Sequence, residues 1–89
     1  MKSTTTSQFW ELYGALPEAV RRRADRAFAL WQLNPSARGL YFKRVGKQRP
    51  VYSVRIGRGY RALGLREEDT ILWFWIGTHD DYERLLKHL

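Results

Sequence analysis

The run Ile71-Leu72-Trp73-Phe74-Trp75-Ile76 constrains this chain more than any other segment. Six consecutive apolar residues leave neither face of a strand free for water, and the run is far short of the roughly 20 residues that a membrane-spanning helix needs. Such a strand belongs centrally in a sheet or against partners on both sides. Eighty-nine residues give room for a single core, so the rest of one domain must supply its partners.

The remaining patterns supply them. Phe9, Leu12, Tyr13 and Leu16 have helical spacing, although this stretch also reads as a short edge strand. Pro17 and Glu18 suit the first turn of a second helix, whose apolar stripe is Val20, Ala24, Ala27, Phe28 and Trp31. Asn34-Pro35 stops it. After Gly39 the period changes to that of strands, at Leu40 to Val45, Val51 to Ile56, Tyr60 to Arg66 and Thr70 to Gly77, joined by short polar turns. Thr78 then caps a last helix with Asp80 and Asp81 in its first turn and an apolar stripe of Tyr82, Leu85, Leu86 and Leu89. The expected architecture is α+β: two N-terminal helices packed on a four-stranded antiparallel sheet, with a short C-terminal helix. Residues 1–7 are polar and read as a flexible tail, with no apolar leader after Lys2, so a soluble, cytoplasmic protein with no membrane partner is expected.

Charge is distributed as unevenly as hydrophobicity. The net charge is +7, and between Arg38 and Arg66 lie nine basic residues without one acid. The excess therefore falls on the expected sheet, which points to a polyanionic partner. If Gly57-Arg58-Gly59 is the hairpin loop, Ile56 stands opposite Tyr60, Arg55 opposite Arg61, Val54 opposite Ala62 and Ser53 opposite Leu63. Ile56, Tyr60, Val54, Ala62, Tyr52 and Gly64 then face the helices, with Ala62 and Gly64 small enough for a helix to come close. Two arginines share the other face. Like charges paired in this way destabilise a sheet by up to about 1 kcal/mol, and an anion between them relieves that.

The absence of cysteine excludes a disulfide scaffold, a thiolate metal site and a cysteine nucleophile, and two scattered histidines make a poor metal site. No cofactor or metal is expected. His79 opens the last helix, where an imidazole is suited to proton transfer, and Tyr82 on the next turn can donate a hydrogen bond or a proton. Arginines with one or two proton carriers match one reaction, attack of an RNA 2′-hydroxyl on its own 3′-phosphate. The expected site is thus Arg61, His79 and Tyr82 for chemistry, with Lys43, Arg44, Lys47, Arg49, Arg55 and Arg58 binding nucleic acid.

Three segments together carry a resemblance: Tyr52-Ser53-Val54-Arg55-Ile56, Gly59-Tyr60-Arg61-Ala62-Leu63, and Trp75-Ile76-Gly77-Thr78-His79-Asp80-Asp81-Tyr82. In order and spacing the chain resembles the RelE/ParE superfamily of type II toxin–antitoxin toxins over nearly its whole length. The resemblance implies an antiparallel sheet backed by two N-terminal helices. It also implies a ribosome-dependent mRNA endoribonuclease that inhibits translation, or, as in other members, a non-catalytic inhibitor of DNA gyrase. A basic nucleic-acid-binding module without toxicity is the third alternative. Arg61 falls on the arginine of the family's Tyr-Arg motif, which contacts the scissile phosphate. Arg55 falls where members often carry a basic residue, His79 where they place a catalytic Arg or His, and Tyr82 on an aromatic used near the C-terminus. Ser53 stands where some members have a second lysine. The implied partners are mRNA on the ribosome and a cognate antitoxin whose acidic segment covers the basic face, anchored on exposed parts of Trp10, Trp73 or Trp75.

Overall fold

The apolar run is flanked by a strand on each side. In the computed structural model, which describes all residues from Met1 to Leu89, the elements are β1 (Lys2–Thr5), α1 (Ser7–Gly14), α2 (Glu18–Leu33), β2 (Lys43–Arg44), β3 (Val51–Ile56), β4 (Tyr60–Glu67), β5 (Thr70–Thr78) and α3 (His79–Leu86). They form one sheet in the order β1-β5-β4-β3-β2. The α+β class, the two N-terminal helices and the C-terminal helix are as expected, and no helix is long and apolar enough to cross a membrane.

Two expectations about the sheet are corrected. It has five strands and is mixed, because residues 2–5 are not a flexible tail: β1 runs parallel to β5, with Lys2 opposite Thr70 and Thr5 opposite Trp73. A polar Lys-Ser-Thr-Thr segment has no alternation to announce a strand. Its hold comes from the backbone, as in the Lys2 N–H donated to the Asp69 carbonyl at 2.8 Å and the Thr6 N–H donated to the Trp73 carbonyl at 3.0 Å. The strand expected at Leu40 to Val45 shrinks to Lys43–Arg44. Gly39 and Tyr41 have φ of +87° and +46° and break the extended backbone, while Leu40 and Phe42 both pack toward the core.

Both faces of β5 are covered, and a bulge makes that possible. Leu63 pairs with Trp75 and Gly64 with Trp73, so Phe74 is an extra residue that reverses the alternation along β5. Ile71, Trp73 and Ile76 consequently share the helix side. There they join Phe9, Val20, Ala24, Trp31, Val54, Ile56 and Ala62 in the main core. Trp31 and Trp73 meet edge to face, 5.4 Å apart at 78°, a geometry worth about 0.5–1.5 kcal/mol beyond the area buried. A Cβ at Gly64 would collide with Ile71 Cγ2 and lie 2.9 Å from Trp73 Cε3. Gly64 therefore makes room for side chains of the neighbouring strand, not for a helix as expected. On the opposite face Val51, Leu63 and Tyr82 form a smaller core, covered by Leu85, Leu86 and Leu89 from the chain end.

The cap that starts α3 fixes where this second cover begins. Thr78 Oγ1 accepts the Asp81 N–H at 3.2 Å, and Asp80 and Asp81 lie in the first turn, where the helix dipole favours them. The His79 N–H is donated to the Gly59 carbonyl at 2.8 Å, which ties the helix start to the β3–β4 hairpin.

Candidate functional site

Hairpin register puts the two arginines side by side. Arg55 pairs with Arg61, Ile56 with Tyr60, Val54 with Ala62 and Ser53 with Leu63, as the three-residue loop predicts. The turn itself supplies counter-dipoles. The Gly57 carbonyl accepts from Arg55 Nε at 3.0 Å and from Arg61 Nη1 at 3.3 Å. Arg61 Nη1 also donates to the carbonyls of Arg58 at 3.3 Å and Tyr60 at 2.7 Å. Partial negative charge from three carbonyls thus offsets part of the like-charge repulsion, and the remaining guanidinium N–H groups are left for another acceptor.

Each arginine also lies over a tyrosine. Arg55 Cζ is 5.3 Å from the centroid of Tyr41, and Arg61 Cζ is 6.0 Å from that of Tyr82. Tyr82 is only 6 % exposed, and its hydroxyl donates to Ser53 Oγ at 3.4 Å. It forms the floor of a cleft of about 280 Å³ in which Lys43, Arg55 and Arg61 face His79 and Glu83. Burial first, and the neighbouring Arg55 charge second, pull the Arg61 guanidinium below its ordinary value, while Tyr82 and Glu83 act in the other direction. It remains charged at neutral pH. A cation held partly out of water beside a second cation gains by accepting an anionic ligand.

His79 is on the rim. One turn along α3, Glu83 Oε1 lies 3.3 Å from His79 Nε2, and both side chains are about half exposed. The ring of Tyr82 is 5.7 Å from that of His79 on the inner side. An imidazole paired with a carboxylate, open to the cleft and adjacent to two guanidinium groups, can pass a proton to or from a group bound against the arginines.

The structure brings Arg55, Arg61, His79, Tyr82 and Lys43 together, and it leaves other expected residues outside. Arg58 is exposed on the hairpin tip and does not line the cleft, although its carbonyl accepts from Arg61. Arg44 pairs with Tyr52, on the face of the sheet away from the cleft, and donates from Nε to the Gly46 carbonyl at 2.9 Å. Arg49 lines a different, apolar cavity with Val51, Leu65, Phe74 and Leu89, and the backbone of Lys47 bonds to Leu89 near it. Among the tryptophans expected as anchors, Trp73 is fully buried and only Trp10, 55 % exposed, presents a large surface. Two cleft residues escaped the sequence reading, Tyr41 and Glu83, and Ser53 was placed in the hairpin without a role of its own. Glu83 was within reach, since it stands four residues after His79 on one helical face.

A family model described as the ParE-like toxin domain matches residues 18–84. No curated protein matches the chain by sequence. Among solved structures, the chain is similar to the RelB–RelE antitoxin–toxin complex of Methanococcus jannaschii, with 18% identity and a TM-score of 0.72, covering 91% of this chain and 95% of that one. It is also similar to YafQ of E. coli strain BL21(DE3), with 8% identity and a TM-score of 0.72 over 91% and 96% of the two chains. The isolated E. coli RelE toxin superposes with a TM-score of 0.66 at 14% identity, over 99% and 98%. At these identities the likeness is one of fold.

Proposed function

Since the chain belongs to the ParE-like toxin domain family of the RelE/ParE superfamily, we propose that it is the toxin of a type II toxin–antitoxin pair and that its cleft cleaves single-stranded mRNA on the ribosome without a metal ion. The observation that carries this reading is the convergence of Arg55, Arg61, His79 and Glu83 on one cleft.

The chemistry follows from what these groups can do. A phosphodiester seated against Arg55 and Arg61 has its non-bridging oxygens on two guanidinium groups. When the adjacent 2′-oxygen attacks phosphorus, negative charge grows on those oxygens, and donors already in place stabilise it. The 2′-hydroxyl loses its proton to the His79–Glu83 pair. The bond from phosphorus to the 5′-oxygen breaks, and that oxygen takes up a proton from solvent, to which the His79–Glu83 pair returns the one it accepted. The products are a 2′,3′-cyclic phosphate and a 5′-hydroxyl, with no water consumed. Tyr82, with its hydroxyl on Ser53, supports the guanidinium of Arg61 and the ring of His79 and acts as a positioning residue.

The partner is a cognate antitoxin with an acidic segment lying over the cleft, which would neutralise the same cations that hold RNA. The RelB–RelE complex of Methanococcus jannaschii, a solved structure of the same fold, supports this reading. A second reading, non-catalytic inhibition of DNA gyrase, is favoured by the ParE-like description of the family and by the burial of the Tyr82 hydroxyl.

Induction of the wild-type chain and of Arg61→Ala in growing cells, with pulse labelling of protein and DNA synthesis, separates the two. Arrest of protein synthesis by the wild type alone is the expected result. Arrest of DNA synthesis with translation intact supports gyrase, and equal toxicity of the variant overturns the assignment of Arg61.

A further inference from the structure

The loop between α2 and β2 carries a feature that the cleavage chemistry does not use. Tyr41 is the wall between the cleft and a second cavity of about 590 Å³, bordered by Arg38, Ser36 and the turn through Gly39. Its φ of +46° lies in the left-handed region, which a bulky side chain adopts rarely. Its two neighbours are both held against the core. Leu40 is buried, and its carbonyl accepts the Arg55 N–H at 2.7 Å. Phe42 packs its ring 5.6 Å from Trp31 and 5.1 Å from Tyr52. With both flanking residues pinned to the core, the ring of Tyr41 is turned outward and is 61 % exposed.

The two tyrosines beneath the arginine pair therefore differ. Tyr82 is a buried floor under Arg61, whereas Tyr41 offers solvent an aromatic surface beside Arg55. An open ring next to a guanidinium, held by a strained but pinned backbone at the edge of a phosphate-binding cleft, has the features that single-stranded nucleic acids use for base stacking.

We propose that Tyr41 is a base-stacking platform, and that the cavity beside it receives the nucleobase next to the scissile phosphate of a single-stranded RNA. This rests on reading the cleft as an RNA site and adds a subsite to it. The stack accepts any base, because every base has a π-face. Discrimination then falls to the Ser36 hydroxyl and the backbone groups of the 35–39 turn, which line the cavity where a base edge would lie. Arg38, exposed at the same cavity, is placed to meet the next phosphate along the strand.

The test is a binding titration with a six-nucleotide RNA carrying 2′-O-methyl groups, which block the attacking hydroxyl, both free and as the mRNA on programmed ribosomes. Wild type, Tyr41→Phe, Tyr41→Gly and Arg61→Ala are each titrated with the intact RNA and with a series bearing one abasic residue at successive positions. Glycine suits the positive φ, so Tyr41→Gly removes the ring while relieving the strain. Tyr41→Gly is expected to bind the intact RNA about tenfold more weakly, and Tyr41→Phe to bind as wild type does. One abasic position is expected to weaken wild type by about the same factor and to leave Tyr41→Gly unaffected. If Tyr41→Gly binds as tightly as wild type while Arg61→Ala loses binding, the subsite is overturned and the cleft reading stands. A loss in Tyr41→Gly that couples to no abasic position also overturns the stack. If Arg61→Ala binds as well as wild type, or no RNA binds in either setting, both readings fall.

Discussion

On the helix side of the sheet, Val54, Ile56, Ala62, Trp73 and Ile76 are almost wholly buried and share one aromatic-rich core with α1 and α2. On the other side the same strands present Ser53, Arg55 and Arg61 to an open cleft, with apolar cover from α3 only toward Val51 and Leu63. One face spends its residues on burial and the other leaves two like charges opposed across a hairpin. On the proposed reading the first face serves stability and the second chemistry, which makes the two separable by mutation.

The largest effect is expected on the helix side. Trp73→Ala empties the middle of the core and should lose about 3–5 kcal/mol, a large part of the stability of so small a domain, in chemical denaturation. A loss below about 1 kcal/mol would mean that the indole is not the keystone of this face. Arg61→Ala tests the other side. Cleavage should fall roughly 100- to 1,000-fold, the scale seen when one transition-state donor is removed, while stability moves by no more than about 1 kcal/mol because repulsion from Arg55 goes with it. Unfolding of this variant would erase the distinction between the faces.

A charge-matched pair sharpens the comparison. Arg55→Ala and Arg44→Ala remove the same charge from opposite sides of the sheet. Salt-dependent RNA binding should lose about one unit of slope in Arg55→Ala and change much less in Arg44→Ala. Equal losses would mean that net charge, not the cleft, governs binding.

The smallest effect lies at the α1–α2 contact. The Tyr13 hydroxyl donates to Asp25 Oδ1 at 2.6 Å, and that hydrogen bond, ahead of burial and the Asp25 charge, raises the phenol above its ordinary value. Because the folded value is the higher one, the contribution is complete below about pH 10 and is lost as pH rises through the folded value. Tyr13→Phe should therefore lose only a few tenths of a kcal/mol at neutral pH, as solvent screens an exposed pair, and the two melting curves should converge in alkali.

What could be read in the chain beforehand was what side-chain pattern and turn chemistry control. Gly57-Arg58-Gly59 sets the loop length and with it the register that opposes Arg55 to Arg61. Thr78 with two following acids sets the start of α3 and so the position of His79. The apolar run at 71–76 placed β5 inside the sheet. The features that escaped are held by backbone or by tertiary contact. β1 is polar and exposed and exists because β5 has a free edge. The bulge at Phe74 is invisible in a segment that is apolar throughout. Tyr41 enters the cleft because Leu40 and Phe42 are both drawn inward, a consequence of long-range packing. The wide basic window overstated the site for a related reason: composition counts charges along the chain, whereas pleating sends Arg44 to the other side.

The most direct measurement of the central claim is the chemistry of the RNA ends. Programmed ribosomes are treated with the purified protein, and the mRNA products are mapped at both termini. Cleavage with 2′,3′-cyclic phosphate and 5′-hydroxyl ends, absent with Arg61→Ala, is the predicted result. Intact mRNA on ribosomes exposed to a protein that arrests growth, or cleavage that leaves 3′-hydroxyl and 5′-phosphate ends, would contradict it.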